Sequence, residues 1–364
     1  MTLALGNAET IRPDGRTHKS AGHVIVDTLV AHGIKRAHVV PGESFLDVLD
    51  GLHDSTIETI VCRHEGGATY MAEADGKMNQ MPGIAMVTRG PGAANAHVGL
   101  HTAWQDSTPM VLFVGLIPFA HRDREAFQEF DIKAWFDTGA KRVMVLDHAE
   151  RASEIVAEAL FAAMNGRPGP VVIGLPEDVI RQQIPAELHP PIPVATGGMT
   201  TVDSDALAEA LAASTKPLFV TGGNDWTQEG ADQFTAWLEK HHIPAAAEWR
   251  TQGTIPFDSP SYVGPIGYGR PRPTYDLLEE TDLLIFVGTV PGDVMTGKRP
   301  GGRCRDGTKC SSTSRLPPWT PNWWAKCWRS SRKSPSRAPR WSSSPMRCSS
   351  PGTSRTALSS WITG

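Results

Sequence analysis

The chain has 364 residues, 40% of them hydrophobic, and a formal net charge of −4. That length suits two or three domains with ordinary cores, and the near-neutral charge argues against a nucleic-acid or membrane partner. Met1 to Lys19 is polar, with neither a signal peptide nor an anchor, and no run reaches the ~18–20 apolar residues of a membrane span, so a cytoplasmic protein with a flexible 1–19 segment is expected.

From His23 to Val179, helical and strand-like runs alternate. Val24–His32 is apolar at helical spacing, Ala37–Val40 reads as a strand, Phe45–Leu52 as a helix and Ile57–Cys62 as a strand. Glu65–Lys77 is an Ala-rich helix. Ile84–Thr88 is a strand that turns at Gly90-Pro91-Gly92 into a helix running to Trp104. Met110–Val114, Val143–Leu146 and Val171–Leu175 are strands, the last two flanking the helix Ala149–Met164. Short β-runs alternating with helices predict an α/β fold, doubly wound on a mostly parallel sheet. This first domain spans residues 20–184.

Pro185, Pro190, Pro191, Pro193 and Gly197-Gly198 mark a linker over 185–202. A second α/β domain follows over 203–309. Asp203 or Ser204 caps a helix Ala206–Ala213, Leu218–Thr221 is a strand ending in Gly222-Gly223, Phe234–His241 is a helix and Leu283–Val287 a strand. Composition then changes. Past Asp306 there is no Asp or Glu, and six of the eleven tryptophans lie beyond residue 309. Residues 310–364 are read as an aberrant, unstructured tail from a one-base frameshift. Before Cys304 the chain holds only Cys62, as suits a reducing compartment, and the later cysteines match no zinc or disulfide spacing.

Arg63-His64-Glu65-Gly66-Gly67-Ala68 ends a strand and puts a carboxylate in the first turn of a helix. In open α/β sheets ligands bind beyond the carboxyl ends of strands. A bland role is also available to Glu65, since a carboxylate there complements the helix dipole by ~0.3–1 kcal/mol. His64 is read as structural. Three loops add weight: Val40-Pro41-Gly42-Glu43-Ser44, Val87-Thr88-Arg89-Gly90-Pro91-Gly92-Ala93-Ala94-Asn95 and Ala126-Phe127-Gln128-Glu129-Phe130-Asp131. With Asp106-Ser107-Thr108-Pro109 and Arg167-Pro168-Gly169-Pro170, this set and order resemble the pyrimidine-binding domain of thiamine-diphosphate (ThDP) enzymes. The acetolactate synthases and related 2-keto-acid carboligases and decarboxylases are the nearest kind.

The resemblance implies that Glu65 hydrogen-bonds a ring nitrogen of the cofactor's aminopyrimidine and so activates it. It implies that Pro41, Gly42, Thr88, Pro91 and Asn95 line the pyrimidine pocket with Glu65, and that Gln128 faces the thiazolium and substrate. A loop amide such as Gln128 can equally satisfy local backbone. Arg89 and Gly66 depart from residues common in relatives, Ser and Gln. The implied substrate is a 2-keto acid and the implied assembly a homodimer or tetramer.

Residues 216–296 resemble the family's middle domain, through Lys216–Gly223, Gly264-Pro265-Ile266-Gly267-Tyr268-Gly269, Asp282–Thr289 and Gly292-Asp293. In some relatives this domain holds FAD, which stays open here beside plain close packing of the glycines. The family binds magnesium through a Gly-Asp-Gly motif in a third domain; no Gly-Asp-Gly occurs in this sequence, so no metal ligand is expected. The chain is then half a site, inactive alone. Two alternatives carry different expectations: a non-catalytic binding or dimerisation module, and a nucleic-acid binder using the nine Lys or Arg of the tail with its tryptophans.

Overall fold

The computed structural model describes residues 10–11, 16–195, 200–224, 226–289, 292–296 and 326–329. The chain divides into two compact units, Met1–Ala195 and Thr196–Gly364.

The first unit is built on a six-stranded, wholly parallel sheet. In chain order its elements are α1 (Ala21–Ala31), β3 (Arg36–Val39), α2 (Leu46–His53), β4 (Glu58–Val61), α3 (Glu65–Asn79), β5 (Gly83–Val87), α4 (Pro91–Asp106), β6 (Met110–Leu116), α5 (Ile132–Phe136), β7 (Arg142–Val145), α6 (Ala152–Met164), β8 (Pro170–Pro176) and α7 (Glu177–Ile180). The strands before them, β1 (Thr10–Ile11) and β2 (Thr17–Ser20), join β9 (Gln183–Pro185) in a small antiparallel sheet.

The large sheet has the order β4-β3-β5-β6-β8-β7. Every residue of β5, β6 and β8 is buried, which is why they read as unbroken apolar runs. β4 lies at the edge and is mostly exposed. Two apolar clusters fill the two faces. One gathers Val24, Ile25, Leu29, Phe45, Ile84, Val111 and Ile155. The other gathers Ala85, Val87, Ala96, Leu100, Met110, Leu112 and Phe136. The sheet runs outward from β3 in both directions, to β4 on one side and β5 on the other. The chain thus reverses between β3 and β5, and the crevice past their carboxyl ends is where such folds bind ligands.

The second unit contains α8 (Thr201–Ala212), β10 (Pro217–Thr221), α9 (Gln228–Lys240), β11 (Ala245–Glu248), β12 (Tyr262–Ile266), α10 (Arg272–Glu280), β13 (Leu283–Val287), α11 (Asp293–Thr296) and β14 (Lys326–Arg329). Its sheet order is β12-β11-β10-β13-β14, parallel except for β14. Phe219, Phe234, Leu238 and Ile285 form the core of one face.

Both units are mostly parallel α/β layers, as the alternating pattern predicts. Two details correct the sequence reading. The α8 cap is Thr200, in a capping box whose third residue is Asp203, so Asp203 lies inside the helix. Thr17–Lys19, expected to be flexible, pair in β2. The reading of 310–364 as an unstructured tail is not among these corrections; within that segment the described residues are Lys326–Arg329, which pair with β13. The rest of that segment lies outside the described residues, as do 1–9. Among the described residues no helix is long and apolar enough to cross a membrane.

Candidate active site

Three loops converge past the carboxyl ends of β3, β4 and β5. Val40–Ser44 leaves β3, Cys62–His64 leads from β4 into α3, and Thr88–Gly90 leads from β5 into α4. Glu65 is the first residue of α3 and is half-buried. His64 caps that helix, its Nδ1 accepting from the Gly66 N–H at 3.0 Å, so it serves the backbone. The Glu65 carboxylate is held from α4, where Asn95 Nδ2 donates to its Oε2 at 3.0 Å. The two helices approach closely at Gly99, where a Cβ would stand 2.3 Å from Thr69 Oγ1.

Thr88 is the hinge of the arrangement. A Cβ on Gly42 would stand 2.5 Å from Thr88 Cβ. A Cβ on Gly92 would stand 2.9 Å from Thr88 Cγ2 and 3.3 Å from Glu65 Oε1. The Thr88 and Ser44 hydroxyls are 2.9 Å apart, which ties the β3 loop to the β5 loop. Pro41 and Asn95 are exposed, and Pro91 is exposed at the first position of α4, where its missing N–H costs nothing. Gly42, Glu65, Thr88 and Asn95, separate in sequence, are thus brought together past the ends of β3 and β5, with Pro41 and Pro91 in the same loops.

Gln128 reaches the same place from the loop after β6. Gly90 sits at φ +55°, and a Cβ there would lie 3.0 Å from both Gln128 Cβ and Gln128 O. Gln128 itself takes φ +63°. Its side-chain amide makes no hydrogen bond within the described residues, so it does not serve local backbone.

The sequence reading missed what Arg89 does. Arg89 is buried, 6% exposed, beside Thr88. Nη2 donates to Glu43 Oε1 at 2.7 Å, and Nη1 lies 3.5 Å from Glu177 Oε2. Glu177 is also paired with Arg181, at 2.5 Å. Arg89 thus ties the β3 loop and the start of α7 to the end of β5 from behind. The signal available in sequence was a cation placed between two turn-forming residues, with no rule to name its partners.

The crevice has a carboxylate at a helix N-terminus, a side-chain amide orienting it, and a glycine packed close beside it. That combination can hold a flat, hydrogen-bonding ring that shares a proton with Glu65 through a ring nitrogen, as an aminopyrimidine can. No larger residue fits at Gly92, because a Cβ there would meet Thr88 Cγ2 at 2.9 Å and Glu65 Oε1 at 3.3 Å. Among the described residues no group of three His, Cys, Asp or Glu could hold a metal ion.

Two family profiles match the sequence: "Thiamine pyrophosphate enzyme, N-terminal TPP binding domain" over residues 19–135, and "Thiamine pyrophosphate enzyme, central domain" over residues 204–310. The acetolactate synthase isozyme 2 large subunit of Escherichia coli is 30% identical over 276 residues, 75% of this chain and 50% of that protein. The acetolactate synthase large subunit of Lactococcus lactis is 31% identical over 276 residues, 74% of this chain and 48% of that protein. The Bacillus subtilis acetolactate synthase is 30% identical over 270 residues, 74% and 47% respectively. The chain spans about half the length of the curated relatives it matches. Two matched domains in family order, with the crevice residues in the first of them, place the chain in the acetolactate synthase-like family of thiamine pyrophosphate enzymes.

Proposed function

We propose that this chain supplies the pyrimidine side of the active site of a ThDP-dependent 2-keto-acid carboligase or decarboxylase. The observation that carries the reading is the Glu65 carboxylate at the N-terminus of α3, held by Asn95 at 3.0 Å with Gly92 packed close against it. When bound, ThDP supplies a thiazolium carbon nucleophile and an electron sink for decarboxylation. The chain's own residues bind, orient and move a proton. Glu65 would share a proton with a pyrimidine ring nitrogen of the bound cofactor and so would activate its amino group. A carboxylate is required because a charge-assisted bond is about twice as strong as a neutral one. Asn95 fixes the carboxylate's rotamer. Pro41, Gly42, Thr88 and Pro91 wall the ring, and the unpaired amide of Gln128 faces the reacting end.

The diphosphate and its magnesium need oxygen ligands that we assign to a domain outside this sequence. The chain alone is then inactive and binds ThDP weakly. A homodimer or tetramer, a 2-keto-acid substrate and a cytoplasmic location follow from the same reading.

The test is carbon dioxide release from a panel of 2-keto acids by the enzyme carrying the complementary domain, with and without Glu65→Gln. Gln keeps the shape and loses the charge. Turnover should fall by about 10²-fold or more, the scale for removing one preorganised electrostatic partner. Stability should change by only the helix-dipole term, about 0.3–1 kcal/mol. Near-full turnover in the variant would remove Glu65 from the mechanism.

A further inference from the structure

The second unit has the same kind of reversal point as the first. Its sheet runs from β10 toward β11 and β12 on one side and toward β13 on the other. A dinucleotide such as FAD would place its pyrophosphate past the carboxyl ends of β10 and β13, at the N-terminus of the helix after β10. We infer that the unit takes no flavin or other dinucleotide there, because the crevice is packed shut by its own backbone and lined with oxygen acceptors.

The packing comes first. A Cβ on Gly223 would stand 2.5 Å from Gly288 O, and one on Gly288 would stand 2.3 Å from Gly222 O. The loops after β10 and β13 therefore touch backbone to backbone. A Cβ on Gly222 would lie 2.6 Å from Thr289 Cβ. Trp226 closes the contact, its indole Nε1 donating to Gly222 O at 2.9 Å and its ring tilted against Phe234 with centroids 5.4 Å apart. At the neighbouring strand end, Trp249 fills the space over Gly267, where a Cβ would be 2.4 Å from Trp249 Cδ1.

The electrostatics point the same way. A pyrophosphate needs N–H donors or cations. Helix α9 starts with its cap already made, Thr227 Oγ1 accepting from the Gly230 N–H at 3.0 Å, and Glu229 sits in its first turn. Glu248, 4% exposed, lies at the end of β11 beside Gly222, whose Cβ would be 3.1 Å from Glu248 Cβ. An acid at this point can hold a ribose hydroxyl in dinucleotide folds. Here its carboxylate instead accepts from the Arg250 N–H at 3.2 Å and the Thr251 hydroxyl at 3.3 Å. The Arg250 guanidinium is committed too, with Nη1 3.6 Å from Glu248 Oε1 and its centre 4.5 Å over the Trp249 ring. Among the described residues of this edge, carboxylates and carbonyls stand where a phosphate would need donors. The glycines that end these strands serve close packing.

This inference concerns the second unit alone and stands or falls apart from Glu65. The experiment has two arms on the full chain. In the first, FAD and ADP are titrated and followed by flavin fluorescence and calorimetry. The expected result is no saturable signal from either; a saturable one overturns the inference. The second arm asks whether the crevice is closed. Gly222 has no positive φ, so Gly222→Ala reports on space and not on backbone strain. It should lower the thermal midpoint of the second unit by at least about 4 °C. An unchanged midpoint would mean that the two loops do not touch, and the inference fails.

Discussion

Gly42→Ala tests the site's construction with a single atom. Gly42 has extended backbone, φ −156°, which any residue adopts, so the substitution adds no torsional strain. The new Cβ would stand 2.5 Å from Thr88 Cβ and 2.8 Å from Thr88 Oγ1. Carbon atoms pack at about 3.5–4.0 Å, so one loop must retreat by about 1 Å. Thr88 cannot relieve the clash by changing rotamer, because its Cβ is fixed to the main chain. Overpacking of this kind costs about 1–3 kcal/mol. For a unit of this size each kcal/mol moves the midpoint by about 2–4 °C, giving a loss of roughly 2–12 °C. Thermal melting by near-ultraviolet circular dichroism reads it. The cause is isolated by repeating the change in two backgrounds. Thr88→Ala keeps the offending Cβ, so Gly42→Ala should still be costly there. Thr88→Gly removes it, and the cost should largely vanish. Equal cost in both backgrounds, or a loss below about 0.5 kcal/mol in the parent, refutes the claim that the β3 and β5 loops are locked through this contact.

Two other perturbations follow from the packing and the charges. Arg89→Ala removes a buried cation that serves Glu43 and Glu177; Glu177 keeps Arg181, so the cost by urea unfolding should be about 1–3 kcal/mol, against less than about 1 kcal/mol for Glu43→Gln on the exposed side. Asp282 accepts from the Ser214 hydroxyl and from the Thr215 and Lys216 N–H groups, bonds that hold its carboxyl well below the usual carboxylate range. A depressed folded value means that its contribution is present above the ordinary carboxylate pKa and is lost as pH falls through the folded one. Asp282→Asn should therefore lower the second unit's midpoint at pH 7 and narrow its gap to the parent in acid; a gap that widens in acid contradicts the sign.

How much of this was legible depended on distance along the chain. Ile84–Thr88, Met110–Val114 and Val171–Leu175 stood out because central parallel strands are buried on both faces and carry no polar alternation. β11 did not, because Ala245-Ala246-Ala247-Glu248 has no β-branched residue and only its neighbours make it a strand. The α8 start was misplaced because Thr200 and Asp203 both bear oxygens suited to a cap, and only the backbone tells cap from third residue. Glu65 could be placed at a helix start from sequence, but its bond to Asn95 joins two helices, and spacing has no rule for that. Resemblance proposed the role there, and the fold supplied the contact. Arg89 lay beyond both, since its partners come from two other loops.

The family's central-domain match stops at residue 310, one residue past Lys309, where the composition changes. The chain beyond should be the product of a one-base frameshift, and the genetic code alone makes the case. Asn322-Trp323-Trp324-Ala325 requires AAY TGG TGG GCN. Read one base earlier, it contains YTG GTG GGC, which is Leu-Val-Gly whichever pyrimidine Y is. Upstream, Trp319-Thr320-Pro321 becomes an apolar residue, Asp and a small residue; downstream, Lys326-Cys327-Trp328 gives Val or Met and then Leu. A tryptophan-rich oddity thus becomes ordinary amphipathic sequence. With TCN serines, Cys310-Ser311-Ser312-Thr313-Ser314 becomes three apolar residues, one of Asp, Asn, His or Tyr, and another apolar residue. That is a strand pattern directly after Gly307-Thr308-Lys309. An evolved basic tail has no reason to decode into strand and helix one base away. Sequencing the locus decides it. The shifted frame should stay open and reach a Gly-Asp-Gly followed by Asn, the magnesium motif that the resemblance requires. If stop codons close it soon after residue 310, or the motif does not appear, the tail is genuine and the half-site reading loses its missing partner.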